Sequence, residues 1–193
     1  MRRLCIFCGS QSGRLAAYAD AARRLGTLLA QRNVGLVYGG GRVGMMGILA
    51  DSVLAGGGEV IGVIPEALVA RELAHTGVTD LRVVASMHER KALMAALADA
   101  FVALPGGFGT FEEFCEATTW TQLGLQQKPC GLLNVEGFFD PLLRLFDHAA
   151  SEGFILPEHR AIVVVENDAG KLLDRLTEYC PPPQEKWIDL DET

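Results

Sequence analysis

Long apolar runs, an excess of positive charge and metal-binding spacings are all missing from this 193-residue sequence. No apolar stretch approaches the roughly 18 residues that a helix needs to span a bilayer, so we expect no membrane partner. Lysine and arginine number 17 against 24 aspartate and glutamate, and the net charge of −7 argues against nucleic acid as a partner. The apolar run from Leu4 to Cys8 that follows Arg2 and Arg3 is too short for the core of a signal peptide.

The cysteine count also excludes a simple disulfide framework. There are five cysteines, an odd number, and reduced thiols in a cytoplasmic protein are the simpler interpretation. Cys5 and Cys8 form a C-x-x-C, but it lies in a predicted strand, where residues three apart point to opposite faces. We therefore expect neither a redox dithiol nor a metal site at this motif.

Other catalytic signatures are lacking as well. Ser10 and Ser12 follow a strand but have no G-x-S-x-G elbow, which argues against a serine hydrolase. Lys91 alone does not indicate a Schiff base with pyridoxal phosphate, and we expect no cofactor. No metal-ligand spacing links the four histidines, so no metal is expected; they are His75, His88, His148 and His159.

Hydrophobic residues are abundant (49%) and only 21% of residues are charged, as in a globular chain with a substantial core. Short apolar runs alternate with stretches of helical periodicity. Strands are predicted at 4–8, 34–38, 60–64, 81–85, 101–104, 131–134 and 161–165. Helices are predicted at 16–31, 44–55, 87–98, 111–123, 141–150 and 169–179, with a loop or short helix at 66–79. This alternation predicts a three-layer α/β fold, a parallel sheet covered by helices on both faces. We expect one domain over 1–180 and a peripheral tail over 181–193.

The most informative segment reads P-G-G-F-G-T-F-E-E at 105–113. It carries a strand through glycines into a helix, and a helix N-terminus with close backbone N–H groups is a site for an anion such as phosphate. Glu112 and Glu113 follow as possible catalytic acids. Thr110-x-x-Glu113 also fits a capping box, which would make Glu113 a helix cap, and the residues alone leave both interpretations open.

Two further segments reach the same edge of the predicted sheet. Residues 39–44 fit G-x-G-x-x-G, but they follow the second strand, and the acid about 20 residues on, Glu59, begins a strand, which argues against a nicotinamide site. The loop serves either close helix packing or phosphate and sugar contact. Gly9 and Ser10, at the end of the first strand, could add donors.

A second capping box, Ser86-x-x-Glu89, places Arg90 and Lys91 in the first two turns of a helix. Cations at that position oppose the helix dipole. They are therefore either a solvated surface pair, or they neutralise a bound phosphate or a partner carboxylate.

Together these segments resemble the LONELY GUY (LOG) family of cytokinin-activating phosphoribohydrolases. The resemblance covers about residues 4–178. It is carried by C-G-S at 8–10, G-G-G-R-V-G-M-M-G at 39–47, R-E at 71–72, M-H-E-R-K at 87–91, the 105–113 segment, T-W-T-Q-L-G at 119–124 and K-P-C-G-L-L-N at 128–134. Ala70 departs from the family, since a proline often precedes R-E, and Met45 replaces a common leucine.

The resemblance implies a Rossmann-like fold, a homodimer, and hydrolysis of the N-glycosidic bond of an adenine-type nucleoside 5′-monophosphate, plain or N6-prenylated. The products would be the free base and ribose 5-phosphate. A lysine decarboxylase is not expected, and the alternative function is a nucleotide-sensing module without turnover.

The resemblance also implies site residues. Arg90 and Glu113 would be the catalytic pair, with Glu113 stabilising the cationic ribosyl centre and Arg90 either clamping the phosphate or orienting Glu113. The other residues implied to line the nucleotide site are Glu72, Lys91, Gly107, Phe108, Gly109, Thr110, Phe111, Glu112 and Thr119. The glycine loops add Gly9, Ser10, Gly41 and Gly106 as candidate contacts of the ligand.

Overall fold

The structure is a computed structural model that describes residues 1–69 and 73–180. A seven-stranded sheet runs through its middle in the order β4-β3-β2-β1-β5-β6-β7, and every neighbouring pair is parallel. The strands are β1 (Arg3–Phe7), β2 (Gly35–Tyr38), β3 (Val60–Pro65), β4 (Asp80–Val84), β5 (Ala100–Ala103), β6 (Cys130–Leu133) and β7 (Val163–Glu166).

Helices connect the strands and cover both faces, which confirms the predicted three-layer α/β fold. They are α1 (Ala16–Gln31), α2 (Gly44–Ala55), α3 (Glu66–Val69), α4 (Met87–Leu97), α5 (Phe108–Gln122), α6 (Asp140–Ser151), α7 (Pro157–Arg160) and α8 (Ala169–Thr177). The sequence did not predict α7 or the 3-10 turn at Val135–Gly137. Residues 70–72 and the predicted tail, 181–193, lie outside the described residues.

Alternate residues of β1 divide the core into two layers. Leu4 and Ile6 pack on the face that α1, α2 and α8 cover, whereas Cys5 and Phe7 pack on the face of α4 and α5. Cys8 lies on the side opposite Cys5, and burial raises the pKa of both thiols. The two thiols therefore lie on opposite faces of the sheet, as the period of a strand predicted.

The two central strands create the crevice. These strands are β1 and β5, which pair with each other. From β1 the sheet continues through β2 on one side, and from β5 it continues through β6 on the other, so the strand order reverses between them. The loops that follow β1 and β5 meet directly, because Gly9 N donates to Pro105 O at 3.1 Å. A ligand site is expected at such a switch point.

The start of α5 differs from the prediction. The helix begins at Phe108 with Gly107 as its N-cap, and no side chain caps it. Thr110 is buried in the first turn, so the alternative that Thr110 and Glu113 form a capping box is wrong. Gly107 is extended (φ −105°, ψ −155°), which lets the chain enter the helix three residues before the predicted start at 111.

The capping box predicted for α4 is confirmed at its serine. Ser86 Oγ accepts a hydrogen bond from Glu89 N at 3.1 Å. The Glu89 carboxylate accepts from Ala85 N at 2.9 Å, one residue before the cap itself. This cap fixes where α4 begins, and therefore the positions of Arg90 and Lys91 in its first two turns.

Candidate active site

A buried ion pair links α4 to α5 above the sheet. Arg90 Nη1 donates to Glu113 Oε1 at 2.7 Å, and the side chains are 9% and 10% exposed. Arg90 Nε donates to Val63 O, at the end of β3, at 3.1 Å. The structure thus brings together the two residues predicted to be catalytic, 23 positions apart in sequence.

Burial dominates the electrostatics of this carboxylate. It raises the pKa of Glu113 above the usual glutamate value, because a charged carboxylate loses water there. The adjacent Arg90 guanidinium opposes the shift without cancelling it. Glu113 is therefore a carboxylate held in a dry position with one strong partner, an environment typical of acid–base residues.

The glycine loop forms a backbone cradle next to this pair. Added Cβ atoms at Gly107 and Gly109 would meet nothing within 4 Å, so the backbone is open to a ligand there. The first N–H groups of any α-helix have no partner within the helix, and here they belong to the residues from Phe108 onward. This N-terminus can bind an anion of the size of a phosphate.

A cavity of about 250 Å³ joins the cradle to the ion pair. Eight of the predicted site residues line it: Gly9, Ser10, Arg90, Gly107, Phe108, Gly109, Thr110 and Glu113. Segments that are distant in sequence thus converge on one space at the carboxyl edge of the sheet.

Other predicted residues do not line this cavity. Lys91 Nζ contacts Glu112 Oε1 at 2.5 Å and Glu116 Oε1 at 3.0 Å, so its charge is already neutralised. Burial lowers the pKa of Lys91, but its two carboxylate partners outweigh burial and the pKa is raised. Of the roles considered for Lys91, the structure supports pairing with a partner carboxylate.

Two more predicted residues, Thr119 and Phe111, make contacts elsewhere in the protein. Thr119 is exposed and its hydroxyl donates to Cys115 O within α5. Phe111 packs on Phe138 and Phe139. Glu72 lies outside the described residues.

Two glycines among the predicted residues serve the shape of the loops. An added Cβ at Gly106 would overlap Thr110 Oγ1 and approach Gly9 N to 2.8 Å. An added Cβ at Gly41 would lie 2.9 Å from Met46 Cε. Gly106 therefore needs to be glycine for packing, whereas at Gly41 the near atom is the end of the flexible Met46 side chain.

Five residues of the cavity wall were not predicted as site residues: Ile6, Phe7, Cys8, Gly39 and Met46. An added Cβ at Gly39 would overlap the Arg90 guanidinium, so this glycine makes room for Arg90. The G-x-G-x-x-G pattern contained the signal for Gly39, but nothing in the sequence identified Arg90 as its neighbour.

A larger groove of about 650 Å³ opens between α4 and α5, next to the cavity. Its floor is mostly apolar, with Ala92, Ala95 and Trp120, and Lys91 and Glu116 stand at the side nearer Glu113. Lys128 Nζ, on its wall, donates to Ala95 O at 2.7 Å. The mostly apolar surface of this groove can contact an apolar group.

None of the helices in residues 1–69 and 73–180 combines the length and apolarity that crossing a membrane requires. Within the same ranges, no three potential metal ligands among histidine, cysteine, aspartate and glutamate cluster together.

Comparisons with known proteins agree with this geometry. Residues 46–176 match a family described as "Possible lysine decarboxylase". The chain is 53% identical over 180 residues to the cytokinin riboside 5′-monophosphate phosphoribohydrolase LOG of Oryza sativa subsp. japonica, covering 93% of this chain and 74% of the relative. It is 51% identical to LOG1 of Arabidopsis thaliana, covering 93% and 84%.

The fold also matches a solved structure at low identity. The molybdenum cofactor binding protein of Rippkaea orientalis superposes with a TM-score of 0.70 at 20% identity, covering 92% of this chain and 97% of that one. This likeness establishes the Rossmann-like architecture alone. The identities near 50% over almost the whole chain go further: this protein belongs to the LOG family, whose curated relatives are named cytokinin riboside 5′-monophosphate phosphoribohydrolases.

Proposed function

We propose that this protein hydrolyses the N-glycosidic bond of an adenine-type nucleoside 5′-monophosphate, releasing the base and ribose 5-phosphate. The observation that carries the proposal is the buried Arg90–Glu113 pair beside an open helix N-terminus, in one cavity. The names of relatives about 50% identical support the same reaction. The decarboxylase description has no support in the site, where the nearby lysine is neutralised by two carboxylates.

The backbone cradle binds the 5′-phosphate. The nearest cations, Arg90 and Lys91, already have carboxylate partners. The phosphate is therefore held chiefly by the backbone N–H groups at the start of α5 and by the dipole of that helix. Ser10 lines the same cavity and its hydroxyl adds a donor. Ribose then lies between the cradle and Glu113.

Glu113 acts on the reacting carbon. As the C1′–N bond breaks, the base leaves with the bonding electrons and positive charge develops on the ribosyl group. The Glu113 carboxylate stabilises that charge and takes a proton from the water whose oxygen bonds to C1′. Such a base contributes about 10²–10⁴ to the rate. The departing base nitrogen takes up a proton from solvent, and Glu113 returns its proton to solvent, so the products are neutral base and ribose 5-phosphate. Arg90 orients the carboxylate, since its guanidinium group donates to Glu113 and to the backbone of β3.

The groove between α4 and α5 receives the base and its N6 substituent. Trp120 and the alanines of α4 offer an apolar surface that suits a prenyl group. Burying an apolar carbon chain away from water lowers the free energy of the complex, so a prenylated nucleotide should bind better than AMP.

We also propose that the active form is a cytoplasmic homodimer joined through the face of α4, α5 and α6. Helix α6 is amphipathic, yet none of its residues is fully buried, and Leu145 on it is 59% exposed. An uncovered apolar face of this kind is typical of an interface. The free thiols Cys5, Cys115 and Cys130 suit a reducing compartment.

Chromatography of the reaction products tests the function. The protein is incubated with N6-isopentenyl-AMP, with AMP, and with the matching nucleosides and 2′-deoxynucleotides as controls. We expect free base from the monophosphates and little from the nucleosides, since these lack the phosphate. Intact nucleotide together with measurable binding would support the sensing module instead.

A further inference from the structure

His75 connects the loop after α3 to the glycine loop beside Arg90. The segment from Leu73 to His75 runs antiparallel to residues 40–42, and Ala74 bridges Gly41. His75 N donates to Gly40 O at 2.8 Å, and Arg42 N donates to Leu73 O at 2.9 Å. This segment therefore covers the glycine loop from outside.

The His75 side chain fastens the segment at two more points. Its Nδ1 accepts from Gly77 N at 3.2 Å, so in the neutral ring the proton lies on Nε2. Nε2 then donates to Asp51 Oδ1, on α2, at 2.9 Å. The imidazole is 15% exposed, and both ring nitrogens have partners. It joins α2, its own loop and the glycine loop.

The glycine loop in turn sets the position of Arg90. The Gly39 backbone lies so close to the guanidinium that any added Cβ would overlap it. Gly40, which accepts the His75 N–H, has a left-handed φ of 73° and packs on Ile64 at the end of β3. If the loop moves outward, the guanidinium loses a wall and gains freedom to turn away from Glu113.

We propose that His75, held by Asp51, is a positioning residue for the Arg90–Glu113 pair. This inference rests on the proposed function and adds to it a residue that does not touch substrate. Because the geometry of Glu113 matters most in the transition state, loss of the His75 side-chain contacts lowers kcat more than it changes KM.

Variants of His75 separate its two side-chain contacts. His75→Ala removes both, His75→Asn can keep the Gly77 contact, and His75→Gln can keep the Asp51 contact. We expect His75→Ala to lower kcat by about three- to tenfold with KM within about twofold, and the two amide variants to lie between it and wild type. Rates are measured per folded protein, well below the melting temperature.

A double-mutant cycle with Asp51 and a direct probe of Arg90 complete the test. As a single variant, Asp51→Ala should lower kcat. In the double variant with His75→Ala it should lower kcat no further, since the contact between Asp51 and His75 is already lost. Asp20→Ala is the matched control, because it removes an exposed carboxylate from a local pair with Arg23 on α1. Proton exchange at Arg90 Nε–H, followed by NMR, should quicken in His75→Ala.

Wild-type kcat in His75→Ala, or an additive effect of Asp51→Ala, would overturn the proposal. If the wild-type protein releases no base, the proposed function fails by itself. In that case the exchange rate of Arg90 Nε–H still tests whether His75 positions Arg90, and an unchanged rate in His75→Ala would reject this role.

Discussion

At the scale of single residues, two neighbouring glutamates have different surroundings. Glu112 has a side chain 55% exposed and pairs with Lys91, whereas Glu113 is 10% exposed and pairs with Arg90. Consecutive residues on an α-helix point about 100° apart, so only one of them can face the cavity. The sequence indicated two candidate acids but could not separate them, because that depends on how α5 is turned against α4.

The pKa of Glu113 gives a test at this scale. Burial raises it, so the carboxylate should take up a proton above the ordinary glutamate value of about 4.3. As the pH falls through the raised pKa, the base form is lost and activity falls with it. A 13C NMR titration of the free enzyme, with Glu113→Gln to assign the resonance, avoids interference from the substrate phosphate.

A midpoint at or below the ordinary glutamate value would contradict this account of the carboxylate. It would mean that the Arg90 charge outweighs burial. Glu112→Gln serves as the matched control and should leave the midpoint of Glu113 above the ordinary value.

At the scale of the element, α5 shows where the sequence was informative and where it was not. The order of strand, glycine loop and helix was predicted from residues 100–123, and the structure confirms it. The helix start was predicted at 111, because threonine is a common N-cap and glycine is rare within helices. The glycine at 107 caps the helix instead, and Thr110 is used for packing against the loop.

Two neighbouring glycines of that loop should respond differently to the same substitution. Gly106→Ala places a methyl group against Thr110 and Gly9, and should cost about 1–3 kcal/mol of unfolding free energy. Gly107→Ala meets open space and should cost less than about 1 kcal/mol. Its methyl group nevertheless occupies the cradle, so KM for the monophosphate should rise.

Urea unfolding and initial-rate kinetics on both variants check this prediction. Equal loss of stability at 106 and 107 would contradict the packing around Thr110. An unchanged KM in Gly107→Ala would contradict binding of the phosphate at this loop.

At the scale of the whole molecule, the alternation of strands and helices was enough to predict the parallel sheet. The parallel arrangement puts 9–10, 39–44, 86–91 and 105–113 at one edge, which is why most candidate residues converge. The sequence could not predict the contact of Gly39 with Arg90 or the two carboxylates around Lys91. Those contacts depend on the lateral order of strands and the rotation of helices, which local patterns do not specify.

The proposed dimer is testable by light scattering after gel filtration. Leu145 on α6 is 59% exposed and lies outside the groove, so Leu145→Glu should convert the dimer to a monomer by burying a charge at the interface. Thr27→Glu, on the exposed side of α1, is the matched control and should remain dimeric. A monomeric wild type, or a dimeric Leu145→Glu, would contradict this interface.

The activity of Glu113→Gln on N6-isopentenyl-AMP, compared with that of Glu112→Gln, tests the central claim most directly. The amide keeps the size of the side chain and an acceptor for Arg90 but loses the charge and the base. We predict that Glu113→Gln lowers kcat by at least about 10² with its circular dichroism spectrum unchanged, while Glu112→Gln stays within about tenfold of wild type, since only an exposed ion pair is lost. Release of base by folded Glu113→Gln at the wild-type rate would contradict the account.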